Sequence, residues 1–359
     1  LTGADNSVEE ATTNTVSGTA TVTAEAGIAT LTAGGQDITN ASATNPVTLT
    51  GDYGILLING FDAATGVISY DYTEDGNAED HSTGDNSLVD SFGLSVTDLA
   101  GEAASDSLDI QIRDTQPEAN NDIDQVPTAS LDAITGNVLA NDTLAADAAA
   151  VSQISFNGTN ISVPATGNVD IDGDYGTLTL SSDGNYSYAR EAGTPGDVQD
   201  VFTYTLTDAD GDSDSATLAI AIGDAGVDIS GLTPEGGAAG EVVNEANLSD
   251  GSSPNSSALT QAGTFTISAP DGVGNLSVDG TQVIDNNVFT AQTINTPLGN
   301  TLEITGFNPS TGVVSYSYTL NDNKGHPAGD GANSLFEDFA VSLTDSDGDS
   351  TSGSLQVEV

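Results

Sequence analysis

Apolar residues recur at every second position in three stretches of the chain: Phe92, Leu94, Val96; Phe202, Tyr204, Leu206; and Phe339, Val341, Leu343. Each stretch runs into Thr-Asp and an acidic, glycine-containing loop. A second alternating run follows: Leu108, Ile110, Ile112; Leu218, Ile220, Ile222; and Leu355, Val357, Val359. Period-two alternation rich in β-branched and aromatic residues predicts half-buried strands. Turn signals such as Asp183-Gly184-Asn185 and Asp279-Gly280 arrive every 8–12 positions, as in antiparallel sandwiches. No amphipathic helix is expected, and Ala145–Ala150 offers at most one helical turn. No apolar run approaches the roughly 20 residues of a membrane span.

Internal repeats organise these strands. Gly60-Phe61-Asp62-Ala63-Ala64-Thr65-Gly66-Val67-Ile68-Ser69-Tyr70-Asp71-Tyr72-Thr73 returns as Gly306-Phe307-Asn308-Pro309-Ser310-Thr311-Gly312-Val313-Val314-Ser315-Tyr316-Ser317-Tyr318-Thr319. Asn86-Ser87-Leu88 likewise returns as Asn333-Ser334-Leu335. The middle of the chain is a shorter relative: Gly173-Asp174-Tyr175-Gly176 echoes Gly51-Asp52-Tyr53-Gly54, and Tyr186-Ser187-Tyr188 echoes Tyr70-Asp71-Tyr72. The expected fold is all-β, with three tandem Ig-like or cadherin-like sandwiches forming an elongated rod. The expected units are 1–115, 116–224 and 225–359, with the two outer ones homologous. Boundaries fall in the Pro/acid/Asn-rich stretches 114–124 and 223–245.

Charge changes the picture next. The chain has 359 residues, with 54 Asp+Glu against 3 Lys+Arg, for a formal charge of −51. Such a balance fits either an acidic disordered chain or a folded one whose charge is neutralised; the repeats decide for folding. A surface this acidic excludes binding nucleic acid or anionic membrane through its own charge. Cys is absent, which removes disulfides, zinc–thiolate sites, iron–sulfur centres and Cys nucleophiles. The chain opens at Leu1 without a charged-then-apolar leader, as expected of a piece of a longer protein.

The acids are not evenly spread. The closing hairpin loop of the middle unit reads Asp208-Ala209-Asp210-Gly211-Asp212-Ser213-Asp214, and that of the third reads Asp345-Ser346-Asp347-Gly348-Asp349. Carboxylates at alternate positions of a tight loop converge well inside the ~8 Å Debye length, where like charges repel. A hard cation wanting 6–8 oxygens resolves the repulsion, so calcium is expected; magnesium prefers near-octahedral sites and keeps its waters. The loop is no EF-hand: from Asp208, position 6 is Ser213, position 12 is Ala219, and the flanks are strands. The plainer reading is a solvated acidic hairpin. In a sandwich the last hairpin loop sits where the chain comes in. Asp208–Asp214 should thus face the first linker (Asp114, Glu118, Asn120, Asn121, Asp122). Asp345–Asp349 should face the second (Asp224, Asp228, Glu241, Asn244, Glu245). Calcium at each junction would then lock neighbouring units together. The first unit's loop, Asp98-Leu99-Ala100-Gly101-Glu102, lacks two of the acids and promises at most an incomplete site.

Val243-Asn244-Glu245-Ala246-Asn247-Leu248-Ser249-Asp250-Gly251-Ser252, the Gly306-to-Tyr316 block and Phe339-to-Asp349 together resemble the tandem extracellular repeats of giant type I-secreted RTX adhesins. The middle unit, with Gly136-Asn137-Val138-Leu139-Ala140-Asn141-Asp142 and its Asp208-to-Asp212 loop, resembles the cadherin-like, VCBS-type repeats of the same proteins. The resemblance spans nearly the whole chain. It implies calcium-binding Ig-like sandwiches in the surface-exposed stalk of a Gram-negative adhesin used in attachment and biofilm formation. Calcium ligands carried over from it are Asp208, Asp210, Asp212, Asp345, Asp347, Asp349 and Glu245, with Glu10 of Val8-Glu9-Glu10-Ala11 matching Glu245. Glycine-rich RTX nonapeptides do not occur, as expected of an internal segment.

Other features are weaker. His81 and His326, the two His, occupy equivalent loops; each is expected to bond a carboxylate or carbonyl, because one nitrogen without a second makes a poor transition-metal site. Gly237-Ala238-Ala239-Gly240 resembles a di-alanine release site for a protease, but it lies between repeats, where a flexible small-residue linker is the simpler account. There is no Trp, and most Tyr lie on strand positions where packing is the default. Without a nucleophile elbow or a triad, no enzyme is expected. The expected role is a monomeric, extracellular, calcium-rigidified stalk whose partners are calcium ions and its neighbouring repeats. The alternative is a calcium-dependent carbohydrate- or protein-binding module in an outer unit, whose extra loops 75–86 and 321–333 would form the pocket; a glycan array separates the two. A surface-layer protein, the third possibility, would assemble into sheets.

Overall fold

The computed structural model describes residues 6–81, 86–232, 241–325 and 334–359. They form six sheets in three pairs. In the first pair, strands order as Asn6–Glu9, Ala103–Arg113, Ser87–Asp98, Ile28–Ala33, Gln36–Asp37, facing Thr15–Thr21, Val67–Glu74, Gly54–Asp62, Val47–Thr50. The second pair orders Asp122–Val126, Ser213–Ile222, Val198–Thr207, Ala150–Phe156, Thr159–Ser162 against Ile134–Asn137, Asn185–Arg190, Gly176–Ser181, Asn168–Asp172. The third repeats the first with one extra strand at an edge of each sheet, Val288–Phe289 and Asp228–Ser230. Inward residues of each pair interdigitate into one of three separate cores, built around Tyr72, Phe202 and Tyr318. The alternating runs lie in these cores: Leu108, Ile110, Ile112 and Leu218, Ile220, Ile222 are all buried. Helix among the described residues is confined to short 3-10 turns, including Val138–Asn141, capped by the Asn137 side chain.

In each unit a leading strand pairs parallel with the last one: Asn6–Glu9 with Ile110–Arg113, Asp122–Val126 with Leu218–Ile222, and Glu241–Val242 with Val357–Glu358. This pairing decides which acids meet. In the middle unit the segment before that ladder runs beside the start of the last strand and its hairpin loop through side-chain bonds, Thr217 N–H to Asn121 Oδ1, Ala119 N–H to Asp214 and Gln116 to Asp212. In the outer units the leading strand covers only the far half of the last strand, so Glu10 and Glu245 fall at the opposite end from the closing loop.

A buried acid recurs in all three cores. Asp90 Oδ2 accepts from Tyr72 Oη at 2.8 Å, and its carboxylate takes the Asp52 and Tyr53 amides. Asp200 does the same with Tyr188 (2.6 Å), Asp174 and Tyr175. Gly51 and Gly173 make room: a Cβ there would stand 2.0 and 2.2 Å from those carboxylates. The third unit replaces the arrangement with a longer acid, Glu337, held by Tyr318 Oη and Asn300 Nδ2. The Gly-Asp-Tyr-Gly echo thus marks a backbone cradle for a carboxylate that sits on the inward face of its strand, two positions before Phe92 or Phe202.

Candidate metal centres

The two acidic hairpin loops have the same internal geometry. The Asp208 amide donates to Asp212 O (3.1 Å), and Asp208 Oδ1 accepts from Gly211 N–H at 3.0 Å. The Asp345 amide donates to Asp349 O (3.0 Å), and Asp345 Oδ1 accepts from the Gly348 and Asp349 amides at 2.9 and 2.7 Å. Gly211 and Gly348 take φ of 107° and 115°, a conformation that strains any residue with a Cβ. Asp208 and Asp345 are 8% and 4% exposed, and the Oδ2 of each is buried without a hydrogen-bond partner. What lies beside them is another carboxyl, Asp210 or Asp347. Burial, then the neighbouring carboxyl, pushes both groups up to about 6. A buried carboxylate oxygen left without a donor is costly unless a proton or a cation meets it. The donor set, all carboxylate and carbonyl oxygen, fits a hard divalent ion.

At the second junction the linker brings Asp224 to the loop. Oxygens of Asp224, Asp271 and Asp347 lie within 4.8 Å of one another, as do those of Asp345, Asp347 and Asp349. The Gly196 amide of the middle unit donates to Asp347 Oδ2 at 2.8 Å. Beside them, Arg190 Nη2 meets Asp271 Oδ1 at 2.7 Å, both side chains fully buried, and the Ala225 amide takes Asp271 Oδ2 at 2.7 Å. Arg190 Nε donates to Thr194 Oγ1, which fixes the guanidinium.

At the first junction Glu10 is 1% exposed, and it accepts from the Glu79 amide (2.7 Å) and from Thr115 N–H and Oγ1 (3.1 and 3.0 Å). Glu10, His81 and Asp114 present ligand atoms within 4.8 Å of one another. His81 Nε2 lies 3.8 Å from Glu10 Oε2. Burial and the charge of Asp210 push Asp114 up to about 7, and its Oδ1 is buried without a hydrogen-bond partner. Asp147 is raised by burial and by Glu10 and Asp210. Residues of the first unit, the linker and the middle unit's loop therefore share one electrostatic site. Gln116 Nε2 reaches Asp212 (2.6 Å), and the Ala119 amide reaches Asp214 (2.9 Å).

Three residues expected in these centres lie elsewhere. Glu245 sits at the far end of the third unit, where it accepts the Lys324 amide, because Val243 pairs with the end of the last strand. Asp122 is turned toward Tyr204 Oη (3.1 Å) and Asp142, and burial pushes it up to about 6. Glu118 has an exposed side chain and pairs with Thr143 through its backbone alone. Glu10, equivalent to Glu245, lies beside Arg113, where the linker to the middle unit begins. Sequence reasoning missed Asp147 and Asp271; a lone Asp in a turn gives no signal of its own. His326 and Gly237–Gly240 lie outside the described residues.

Residues 114–221 match a family described as a bacterial Ig domain. A comparison with curated proteins finds no match. Among solved structures, the chain is similar to extracellular cadherin domains 1–4 of protocadherin gamma B7 (12% identity, 99% of this chain and 75% of that one, TM-score 0.25). It is similar to the human desmocollin-1 ectodomain (12%, 100% and 57%, TM-score 0.27), of which it spans little more than half. It is also similar to part of a 1.5-MDa bacterial ice-binding adhesin (14%, 98% and 92%, TM-score 0.25). The middle unit is thus similar to a bacterial Ig domain, within an all-β chain of sandwich units.

Proposed function

We propose that this chain is a non-enzymatic, calcium-rigidified extender from the stalk of a bacterial surface adhesin, secreted by a type I system and used in attachment and biofilm formation. One observation carries the calcium: Asp208 and Asp345, at equivalent loops of two units, each keep a buried carboxylate oxygen without a donor beside a second carboxyl, Asp210 or Asp347, that meets a linker acid, Asp114 or Asp224. The resemblance of its repeats to RTX adhesins and the bacterial Ig match of the middle unit support the cellular setting. Asp208, Asp210 and Asp114, with Glu10, would hold the ion of the first junction. Asp345, Asp347, Asp349 and Asp224 would hold that of the second. Bound there, calcium offsets the mutual repulsion of linker and loop, and the joint between units stiffens. Extracellular modules bind calcium at about 10⁻⁴–10⁻³ M, so the joints would stay loose in a low-calcium cytosol and set outside the cell. Small-angle scattering of the chain with calcium and with chelator tests the reading. The expected result is a shorter, broader distance distribution in chelator; an identical one overturns it.

A further inference from the structure

Away from both closing loops, the first unit holds a third acid cluster at the end of strand Val67–Glu74. Oxygens of Glu74, Asp75 and Glu79 lie within 4.8 Å of one another. Glu74 is only 1% exposed; its Oε2 accepts the Gly76 amide at 2.9 Å, while its Oε1 is buried and has no hydrogen-bond partner. Asp75 is anchored by its amide to Tyr53 O (3.2 Å) and by Oδ1 to the Asn77 amide (2.9 Å). A buried glutamate with one unmet oxygen, facing two more carboxylates, leaves a place for a positive charge.

The duplicated third unit shows what the same fold does without that need. The Glu74 amide donates to Asn14 O, and the Leu320 amide donates to Leu259 O, at matching points of the Thr15–Thr73 and Thr260–Thr319 pairings. Leu320 therefore stands where Glu74 stands, and it is equally buried at 1%. Asn321 follows it in place of Asp75. The Glu79 amide donates to Glu10, and the Lys324 amide donates to the equivalent Glu245, so Lys324 stands where Glu79 stands. The third unit thus has an apolar residue, a neutral amide and an ammonium where the first has three acids. There the Lys324 ammonium lies 3.8 Å from Asp322 Oδ2 instead.

We propose that Glu74, Asp75 and Glu79 form a divalent-cation site inside the first unit, of the hard, oxygen-ligated class that calcium fills. It shares loop 75–81 with the first junction but uses none of that junction's carboxylates. Desolvation and its acidic neighbours raise both Glu74 and Glu79, as expected of a cluster built around a missing charge.

The test counts calcium bound by the full chain in equilibrium dialysis, using calcium alone. Glu74→Leu with Glu79→Lys copies the third unit, so it should fold, bind one ion fewer than the parent, and melt higher in chelator than the parent does. Glu74→Gln, which keeps the side chain's shape, should also lose one ion and guards against misfolding of the double variant. An unchanged count in Glu74→Gln overturns the site. Asp208→Asn and Asp345→Asn, counted alongside, report on the junctions separately: if they keep the full count while Glu74→Gln loses one ion, the junction reading fails and this site stands.

Discussion

The two junctions solve one problem in different ways. Both crowd carboxylates where two units meet, yet only the second contains a cation of its own. Arg190 from the middle unit and Asp271 from the third are fully buried against each other. At the first junction the nearest basic group among the described residues is His81, 3.8 Å from Glu10, while Arg113 is exposed. A built-in guanidinium keeps its charge at any pH or calcium level, whereas a site made of acids holds only with a proton or an ion. The second junction should therefore loosen less in chelator than the first.

The largest expected effect comes from removing that guanidinium. Arg190→Met strands Asp271 in a buried site and should cost about 3–5 kcal/mol, read in denaturant unfolding of the full chain in chelator; an unchanged midpoint would abolish the contrast. Next, calcium at ten times its dissociation constant should add about 1.4 kcal/mol per site. Chelation should then speed limited proteolysis within 114–121 more than within 223–232, and equal acceleration would make the junctions alike. The pH response should change sign with calcium. In the ion-free chain Asp208, Asp345 and Asp114 are raised to about 6, 6 and 7, so the folded state holds more protons than the unfolded one between pH 4 and 7. Stability contributed by these groups is full below about pH 4 and lost as pH rises through 6–7. The chelated chain should therefore melt higher at pH 5 than at pH 7.5. With calcium the order should reverse, since protons compete with the ion. Melting curves at the two pH values, with and without calcium, check this. The smallest effect is His81→Gln, which removes a buried imidazole 3.8 Å from Glu10; about 1 kcal/mol is expected, and an unchanged melting temperature would show that His81 is no structural partner of Glu10.

The fold was legible because strand periodicity is a local property. Residues such as Phe202, Tyr204 and Leu206 carry it in consecutive alternate positions, and duplication supplied the unit spacing. The closing loops were legible for the same reason: Asp208–Asp214 and Asp345–Asp349 place their acids within a few residues. Long-range placement was not. Glu245 and Glu10 look identical in sequence, and each entry motif lies beside the end of its own unit's last strand, at the opposite end from the closing loop, which linker spacing does not reveal. Asp271 meets Arg190 across 81 positions, a pairing no spacing rule encodes. Asp90, Asp200 and Glu337 fall on the inward register of their strands, but what satisfies them, amides and tyrosines contributed by other segments, is not encoded in that register.

The parallel pairing of leading and last strands has a mechanical meaning. A pull on the two ends of a unit drags the leading strand toward its start and the last strand toward its finish, in opposite directions along one ladder. The hydrogen bonds of that ladder are then sheared together instead of being peeled one at a time. Among the described residues the ladder holds five residue pairs in the middle unit, four in the first and two in the third. Under tension the third unit should yield first and the middle one last, which makes the chain a graded series of springs.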